Sequence, residues 1–252
     1  MKKAAGFNFI VLILVFLFFN TAADVQSQNN QSSESSDAES MTIYTLDPDP
    51  MIRQQENERA MTAYITGSQL MSQNRLEEAE KYLLEAVDLD PLFVDALDHL
   101  GIIYRRMNRL AEAESAYLRS IAINNKNRVP YINLAVVYRM QNRLNDALMQ
   151  YLKVIEINPD DPEGYYGIGE LYYLADYFEA AHQFFDAAIE LYSTQGSPFV
   201  YHAYYYKGML FYKTREYEEA LRYFEEVQNS SMSNISGLSR LISDIRRILF
   251  YL

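Results

Sequence analysis

The 252-residue chain contains no cysteine and no tryptophan. Without a thiol there is no disulfide, no thiolate metal site, no cysteine nucleophile and no cysteine to carry a lipid. The redox compartment stays open, because many exported proteins lack disulfides. Histidine is scarce as well. His99, His182 and His202 share no metal-ligand spacing, so they read as core or surface imidazoles and no metal site is expected. No phosphate-cradling loop is found, since Gly164, Gly167 and Gly169 fall inside a helical pattern and not in a turn after a strand. With no catalytic constellation in the chain, neither catalysis nor a cofactor is expected. Positive charge is short too, with 22 Lys and Arg against 34 Asp and Glu and a formal net charge of −12. A body this acidic repels phosphate backbones and anionic lipid surfaces, which argues against nucleic acid as a partner.

What is present begins with an export pattern. Lys2 and Lys3 precede an apolar run from Phe7 to Phe19, broken only by Asn8, and the run closes on Asn20, Thr21, Ala22 and Ala23. Basic start, short apolar middle and small-residue end make up a secretory signal, with cleavage expected after Ala23. If retained, residues 4–23 would be long enough to tether the chain in a bilayer with everything beyond them outside. Cleavage is preferred of the two, and either outcome places the body on the periplasmic or extracellular side. Residues 24–50 carry six acids, no basic residue and few large apolar groups. They read as a disordered acidic linker with a coil span of roughly 30 Å.

Self-comparison gives the strongest signal. Asn74, Arg75 and Leu76 recur as Asn108, Arg109 and Leu110 and again as Asn142, Arg143 and Leu144, each set 34 residues on. Ala79, Ala113 and Ala147 follow the three triplets at the same spacing. Around them the apolar positions are helical, as in Leu97, Leu100 and Tyr104, then Tyr117 and Ile121. The triplets therefore fall between paired helices, where Asn tolerates the left-handed conformation that ends a helix.

On these residues the chain resembles the tetratricopeptide repeat, whose pattern over 34 residues is Trp, Leu-Gly, Tyr, Ala, Phe and Pro. Residues 94–127 supply Leu97, Leu100, Gly101, Tyr104, Ala113 and Tyr117. Residues 128–161 supply Tyr131, Leu134, Ala135, Tyr138, Ala147, Tyr151 and Pro159, and residues 162–195 supply Tyr165, Ile168, Gly169, Tyr172, Ala181 and Phe185. The outer units, 60–93 and 201–234, are weaker, with Thr66 and Lys207 where an aliphatic is usual and an insertion from Gly196 to Val200 before the last. The resemblance covers about 175 of the 252 residues. It implies an all-α, right-handed solenoid of five helix-turn-helix repeats within 51–252, closed by a capping helix over 236–252. Gly67, Gly101, Ala135, Gly169 and Gly208 are small where paired helices must approach. Tyr131, Tyr165 and Tyr204 take the bulky position of the absent tryptophan and bring a hydroxyl that needs a partner. Phe250 and Tyr251 extend the apolar surface of the last helix, leaving room for a partner or a second copy.

In the arrays this chain resembles, the first helix of each pair lines an inner groove. Carried onto this sequence, the early wall is Met61, Tyr64, Ser68 and Met71. The middle wall is Asp95, Asp98, Ile102, Arg105 and Arg106, followed by Val129, Ile132, Val136, Arg139 and Met140. The late wall is Glu163, Tyr166, Glu170 and Tyr173, followed by His202, Tyr205, Met209 and Tyr212. Fourteen of the 22 tyrosines lie from Tyr165 onward, and Tyr166, Tyr173, Tyr205 and Tyr212 share the groove-facing phase. Groove lining is preferred for them over packing between repeats. The clamp with which cytosolic relatives grip chaperone tails is not reproduced. Asn133 alone stands at a matching place, with Asp98, Ile102, Glu163 and Gly167 where Lys, Asn and basic residues would belong.

The leading expectation is an exported, non-enzymatic scaffold that holds a peptide or protein partner in its groove. Five repeats behind an export signal resemble outer-membrane-assembly and pilus-assembly scaffolds, although those typically carry an acylated cysteine. One alternative is a carrier whose tyrosine-rich end encloses an apolar or aromatic ligand. Another is a homo-oligomeric structural component joined through residues 236–252.

Overall fold

A computed structural model describes residues 50–230 and 233–251. The export segment, and the linker up to residue 49, lie outside the described residues. Five helix pairs follow one another: α1 (Pro50–Ser72) with α2 (Leu76–Leu89), α3 (Val94–Arg106) with α4 (Leu110–Ile123), α5 (Arg128–Met140) with α6 (Leu144–Ile157), α7 (Pro162–Leu174) with α8 (Phe178–Thr194), and α9 (Val200–Lys213) with α10 (Tyr217–Gln228). A last helix, α11 (Leu238–Tyr251), closes the row, and the described residues contain no strand. The architecture is the all-α solenoid that the 34-residue register implies. α1 begins ten residues ahead of that register, and the first turns of α1 are mostly exposed. α11 starts at Leu238, just after Gly237 takes a left-handed φ of 84°.

Each turn within a pair has one geometry. Asn74, Asn108, Asn142, Asp176 and Arg215 stand at the same register position with φ between 59° and 67°. The next residue then donates its amide to a carbonyl five residues back: Arg75 to Leu70, Arg109 to Tyr104, Arg143 to Tyr138, Tyr177 to Tyr172 and Glu216 to Phe211, at 2.8–3.0 Å. This is the left-handed helix stop in which an otherwise orphaned carbonyl is satisfied, and Asn is a low-strain choice for it. Starts are also capped. Asn127 accepts from the Val129 amide at 3.1 Å and Asp161 from the Glu163 amide at 2.9 Å. Asp161 pairs in addition with Arg128 at 2.6 Å, which ties the start of α7 to the start of α5.

The helices of a pair are spaced by a bulky side chain of the second against a small residue of the first. A β-carbon added to Gly101 would lie 2.5 Å from the Tyr117 ring, and one added to Gly208 would lie 2.6 Å from Phe224. Tyr117, Phe185, Phe224 and Leu83 are completely buried in this role. Two of the three tyrosines in the tryptophan position find the partners their hydroxyls need. Tyr131 donates to the Asn125 carbonyl at 3.3 Å and Tyr165 to the Pro159 carbonyl at 3.0 Å, each six residues back.

Along the outer seam the triplet arginines act as staples. Arg109 binds Glu112 in its own repeat at 2.9 Å and Glu80 in the preceding one at 2.8 Å, and it lies over the Tyr104 ring at 4.5 Å. Arg143 repeats the arrangement with Asp146, Glu114 and Tyr138. In the last two repeats Tyr177 and Glu216 hold this position, and the seam changes character. Lys213 reaches back to Asp176 at 2.9 Å and lies over Tyr173 and Phe178. Lys207, in place of an aliphatic, is only 3% exposed. Its ammonium meets Asp186 Oδ1 and His182 Nδ1, both at 2.6 Å, above the rings of Phe211 and Tyr223. Burial and the lysine charge together lower the His182 pKa, so the imidazole is neutral and Nδ1 can accept.

First helices of successive pairs touch one another, whereas second helices of successive pairs do not. The row therefore bends with α1, α3, α5, α7 and α9 on its inner side. At the far end Leu238, Ile242 and Ile245 of α11 cover Ala220, Phe224 and Val227 of α10, which closes the core of the last pair.

Because Gly101 faces the Tyr117 ring with no slack, Gly101→Leu should lower stability by about 3 kcal/mol through overpacking. Ser72→Leu, on an exposed turn of α1, should change it little. Thermal melts of the two variants check this, and equal melting temperatures would contradict the register.

Candidate functional site

The inner surface of the five first helices is the concave face, and its side chains fall into three regions. In the early region the Tyr64 ring stacks on His99 at 5.1 Å between centroids and leans on Phe93 at 4.9 Å. Ser68 Oγ lies 3.0 Å from His99 Nδ1. Burial lowers the His99 pKa and keeps the ring neutral. His99, read from sequence as an ordinary imidazole, is thus the piece that joins α1 to α3 on this face. Arg106 donates to Asn74 Oδ1 at 2.6 Å and to the Met71 carbonyl, so its charge is turned toward the neighbouring repeat.

The middle region is made by α3 and α5. Ile102, Ile132, Asn133 and Val136 are half-buried, and Val129 and Met140 are exposed. Asp98 is only 7% exposed. Its Oδ2 accepts weakly from Asn127 at 3.4 Å, and Ser120 faces the carboxyl from α4. Burial raises the Asp98 pKa. Arg105 and Arg139 occupy the same register position on α3 and α5, and the Nε of each is buried with no acceptor among the described residues. The Tyr117 hydroxyl is buried beside Arg105, whose charge acts on it, and its proton finds no acceptor among the described residues.

The late region is a pile of rings. Tyr166 meets Phe185, Tyr192, His202 and Tyr206 at 5.9–6.5 Å. Tyr206 stacks on Phe185 and stands edge-on to Tyr173, at 5.5 Å in both cases. Two carboxylates hold the pile: Tyr166 donates to Glu170 at 3.2 Å, and Tyr192 donates to Glu163 at 2.7 Å. Burial and these carboxylates push the Tyr166 and Tyr192 phenols far above their usual range, and burial raises Glu163. His202 adds a stacked contact with Phe199 at 5.8 Å. Tyr205, Met209 and Tyr212 lean on the cluster beneath α11.

This placement corrects part of the sequence reading. Glu170 and Tyr173 are 6% and 8% exposed. Like Asp98, they support the wall from within, Glu170 by accepting from Tyr166 and Tyr173 by filling the gap to α9. The four tyrosines expected to line the late groove spend much of their surface on neighbouring helices. Tyr192 and Tyr206 belong to the same pile, and the sequence reading missed both. Tyr206 stands where Asn133 and Gly167 stand in the preceding repeats, and that alignment was the available signal. The side chains left half-open on this face are Tyr64, Ile102, Arg105, Ile132, Asn133, Val136, Arg139, Tyr166, His202, Tyr205, Met209 and Tyr212, with Arg106 exposed at the edge. Among the described residues no cluster of three potential ligands could hold a metal ion.

A sequence profile described as TPR repeat matches residues 137–175, and one described as Tetratricopeptide repeat matches residues 66–128 and 170–234, half of the chain. No curated protein sequence matches. Among solved structures, PilF of Pseudomonas aeruginosa is 18% identical, with a TM-score of 0.64 over 77% of this chain and 86% of that one. A tetratricopeptide repeat protein of Parabacteroides merdae is 24% identical, with a TM-score of 0.60 over 76% of this chain and 74% of that one. A thermophilic TPR protein of Thermus thermophilus is 17% identical, with a TM-score of 0.58 over 76% and 99%. At these identities the likeness establishes the fold, a right-handed α-solenoid, and nothing further.

The raised pKa of Asp98 has a thermodynamic consequence. A carboxyl whose folded pKa lies above its unfolded value, about 3.9, stabilises the fold below that value, and this contribution is lost as pH rises through the folded pKa. Ionised Asp98 therefore costs stability at neutral pH. Asp98→Asn should raise the melting temperature at pH 7, and the gap should close as pH falls toward 4, which a series of melts across that range would follow.

Proposed function

Because the chain belongs to the tetratricopeptide repeat family, we propose that it is a non-enzymatic scaffold that holds a peptide segment or loop of a partner protein in its concave groove. The observation that carries this reading is a row of half-open apolar side chains on the inner helices, with Ile102, Val136 and Met209 at one register and Ile132 a turn before Val136, interrupted on α7 by the buried Glu170. Ile102 on α3, Ile132 and Val136 on α5 and Met209 on α9 are apolar groups that packing leaves partly uncovered. An extended segment laid across the inner helices would cover them in turn, gaining apolar burial at each. The carrier alternative is weakened by the late region, where Tyr166, Tyr173 and Tyr206 already fill the space between α7 and α9 with one another. The last helix favours a second reading of interest, since Phe250 and Tyr251 are 82% and 78% exposed and contact each other at its tip.

A photo-crosslinking residue at Val136 should capture a protein in the native cell that the same residue at the convex Leu118 does not. Ile132→Ser with Val136→Ser should then weaken binding of the captured protein by about tenfold, as for loss of apolar anchors. Capture from Leu118 alone would reverse the assignment of faces. Loss of binding in Phe250→Ala with Tyr251→Ala would move the interface to α11.

We also propose export, with the body working in a bacterial envelope, on the strength of the Lys2, Lys3 and Phe7 to Phe19 pattern. Among the described residues no helix is long and apolar enough to cross a membrane. A reporter fused after Leu252 should be active outside the cytoplasm, and activity confined to the cytoplasm would refute export. Amino-terminal sequencing of the mature chain separates cleavage after Ala23 from a retained segment.

A further inference from the structure

Arg75, Arg109, Arg128 and Arg143 are each paired with carboxylates. Arg105 and Arg139 are not. They stand 34 residues apart at the same register of α3 and α5, inner helices that touch. Among the described residues neither guanidinium has an ion-pair partner, and each buries its Nε without an acceptor. In a chain with 34 acids, two half-buried cations on one face without counterions require a cause. A buried donor left unmatched costs stability unless something else binds it.

The acids nearest this face do not supply the match. Asp98 is buried with Asn127 and Ser120, and burial favours its neutral form. Glu170 and Glu163 accept from Tyr166 and Tyr192. The Tyr117 hydroxyl beside Arg105 carries no negative charge and, with the residue completely buried, is out of reach of a groove-bound segment. One turn before the arginines on the same helices lie the half-buried Ile102 and Val136, with Ile132 a further turn back on α5.

We propose that Arg105 and Arg139 form an acid-recognition site in the groove, selecting a partner segment in which Asp or Glu alternates with aliphatic residues. This rests on the groove reading above. Each guanidinium donates to a carboxylate of the segment, and the neighbouring aliphatics of the segment cover Ile102, Ile132 and Val136, one or two turns from the arginines. Poor hydration of the two heads strengthens these bonds relative to water. A longer polyanion fits less well, because two cations cannot offset repulsion by the surrounding acidic body. The positions also differ from those of the chaperone-tail clamp, of which this chain retains only Asn133.

The test titrates the full chain with two fluorescent seven-residue peptides, one alternating glutamate with leucine and the other glutamine with leucine, followed by anisotropy. The glutamate peptide should bind about tenfold tighter, in line with a charge-assisted hydrogen bond, and added salt should erode that preference. Arg105→Gln with Arg139→Gln should abolish the preference while leaving the glutamine peptide's affinity unchanged and without lowering the melting temperature. Arg119→Gln, exposed on α4, should leave the preference intact. Equal binding of the two peptides, binding of neither, or a preference that survives the double substitution overturns the acid site. If the glutamine peptide binds and Ile132→Ser with Val136→Ser removes it, the groove reading stands while the acid site falls. If no inner-face substitution alters any binding, both fall.

Discussion

The Tyr117 ring lies where a β-carbon on Gly101 would be 2.5 Å away, so the separation of α3 from α4 is set by a ring resting on bare backbone. The same contact recurs as Gly169 against Phe185 and Gly208 against Phe224, with Leu83 against Gly67 in the first pair. Each repeat thereby receives one fixed internal spacing, and stacked units of fixed spacing generate a regular curve. The curve puts first helices within reach of one another and keeps second helices apart. Gly167 shows how the spacing also crosses between repeats. Its missing side chain is replaced by the ring of Tyr151, which reaches in from the preceding pair. The groove exists because rings on one set of helices take the place of side chains on the other.

Given that spacing, the joints between repeats are free to differ, and they do. The first three pairs are stapled outside by Arg109 and Arg143, each reaching an acid of the preceding repeat. Such exposed pairs are individually weak and sensitive to salt. The last two pairs are joined by buried rings and by the Lys207, His182 and Asp186 cluster. Interlocked rings resist shear more than solvated ion pairs do, because their contacts are short-ranged and already dry.

The fold could be read from the sequence because its signals are local and periodic. Asn74, Asn108 and Asn142 announce their turns by residue type and spacing, and their backbone angles agree to within about two degrees. Arg215 takes the same left-handed φ of 67° with no such chemistry, and there only the register marks the turn. The candidate site was less legible. Register places Tyr166, Tyr173, Tyr205 and Tyr212 on the inner phase, but it carries no information about how deeply a neighbour buries them. That depends on Tyr206 and Tyr192, which lie one turn or one helix away and belong to no repeat motif. Arg75, Arg109 and Arg143 are another case. Their recurrence was plain, but the role of Arg109 and Arg143 as staples depends on Glu80 and Glu114 of the preceding repeats, a pairing visible only once those repeats are stacked.

A gradient of self-satisfaction along the groove follows from these joints. At the late end two phenols and two carboxylates near the inner face pair within the chain, Tyr166 with Glu170 and Tyr192 with Glu163. At the early end Tyr64, His99 and Ser68 satisfy one another. Between them, Arg105, Tyr117, Ser120 and Arg139 keep buried polar atoms without good hydrogen bonds. Buried groups of this kind are destabilising when unmatched and strongly favourable when matched. Tyr117 and Ser120 are completely buried, so of these groups only the half-buried side chains of Arg105 and Arg139 remain partly open on the inner face. A partner contacting only the late rings would have to displace bonds the protein already makes. The polar atoms of the inner helices that the chain leaves unmatched are accordingly concentrated near the centre of this face, at Arg105 on α3 and Arg139 on α5.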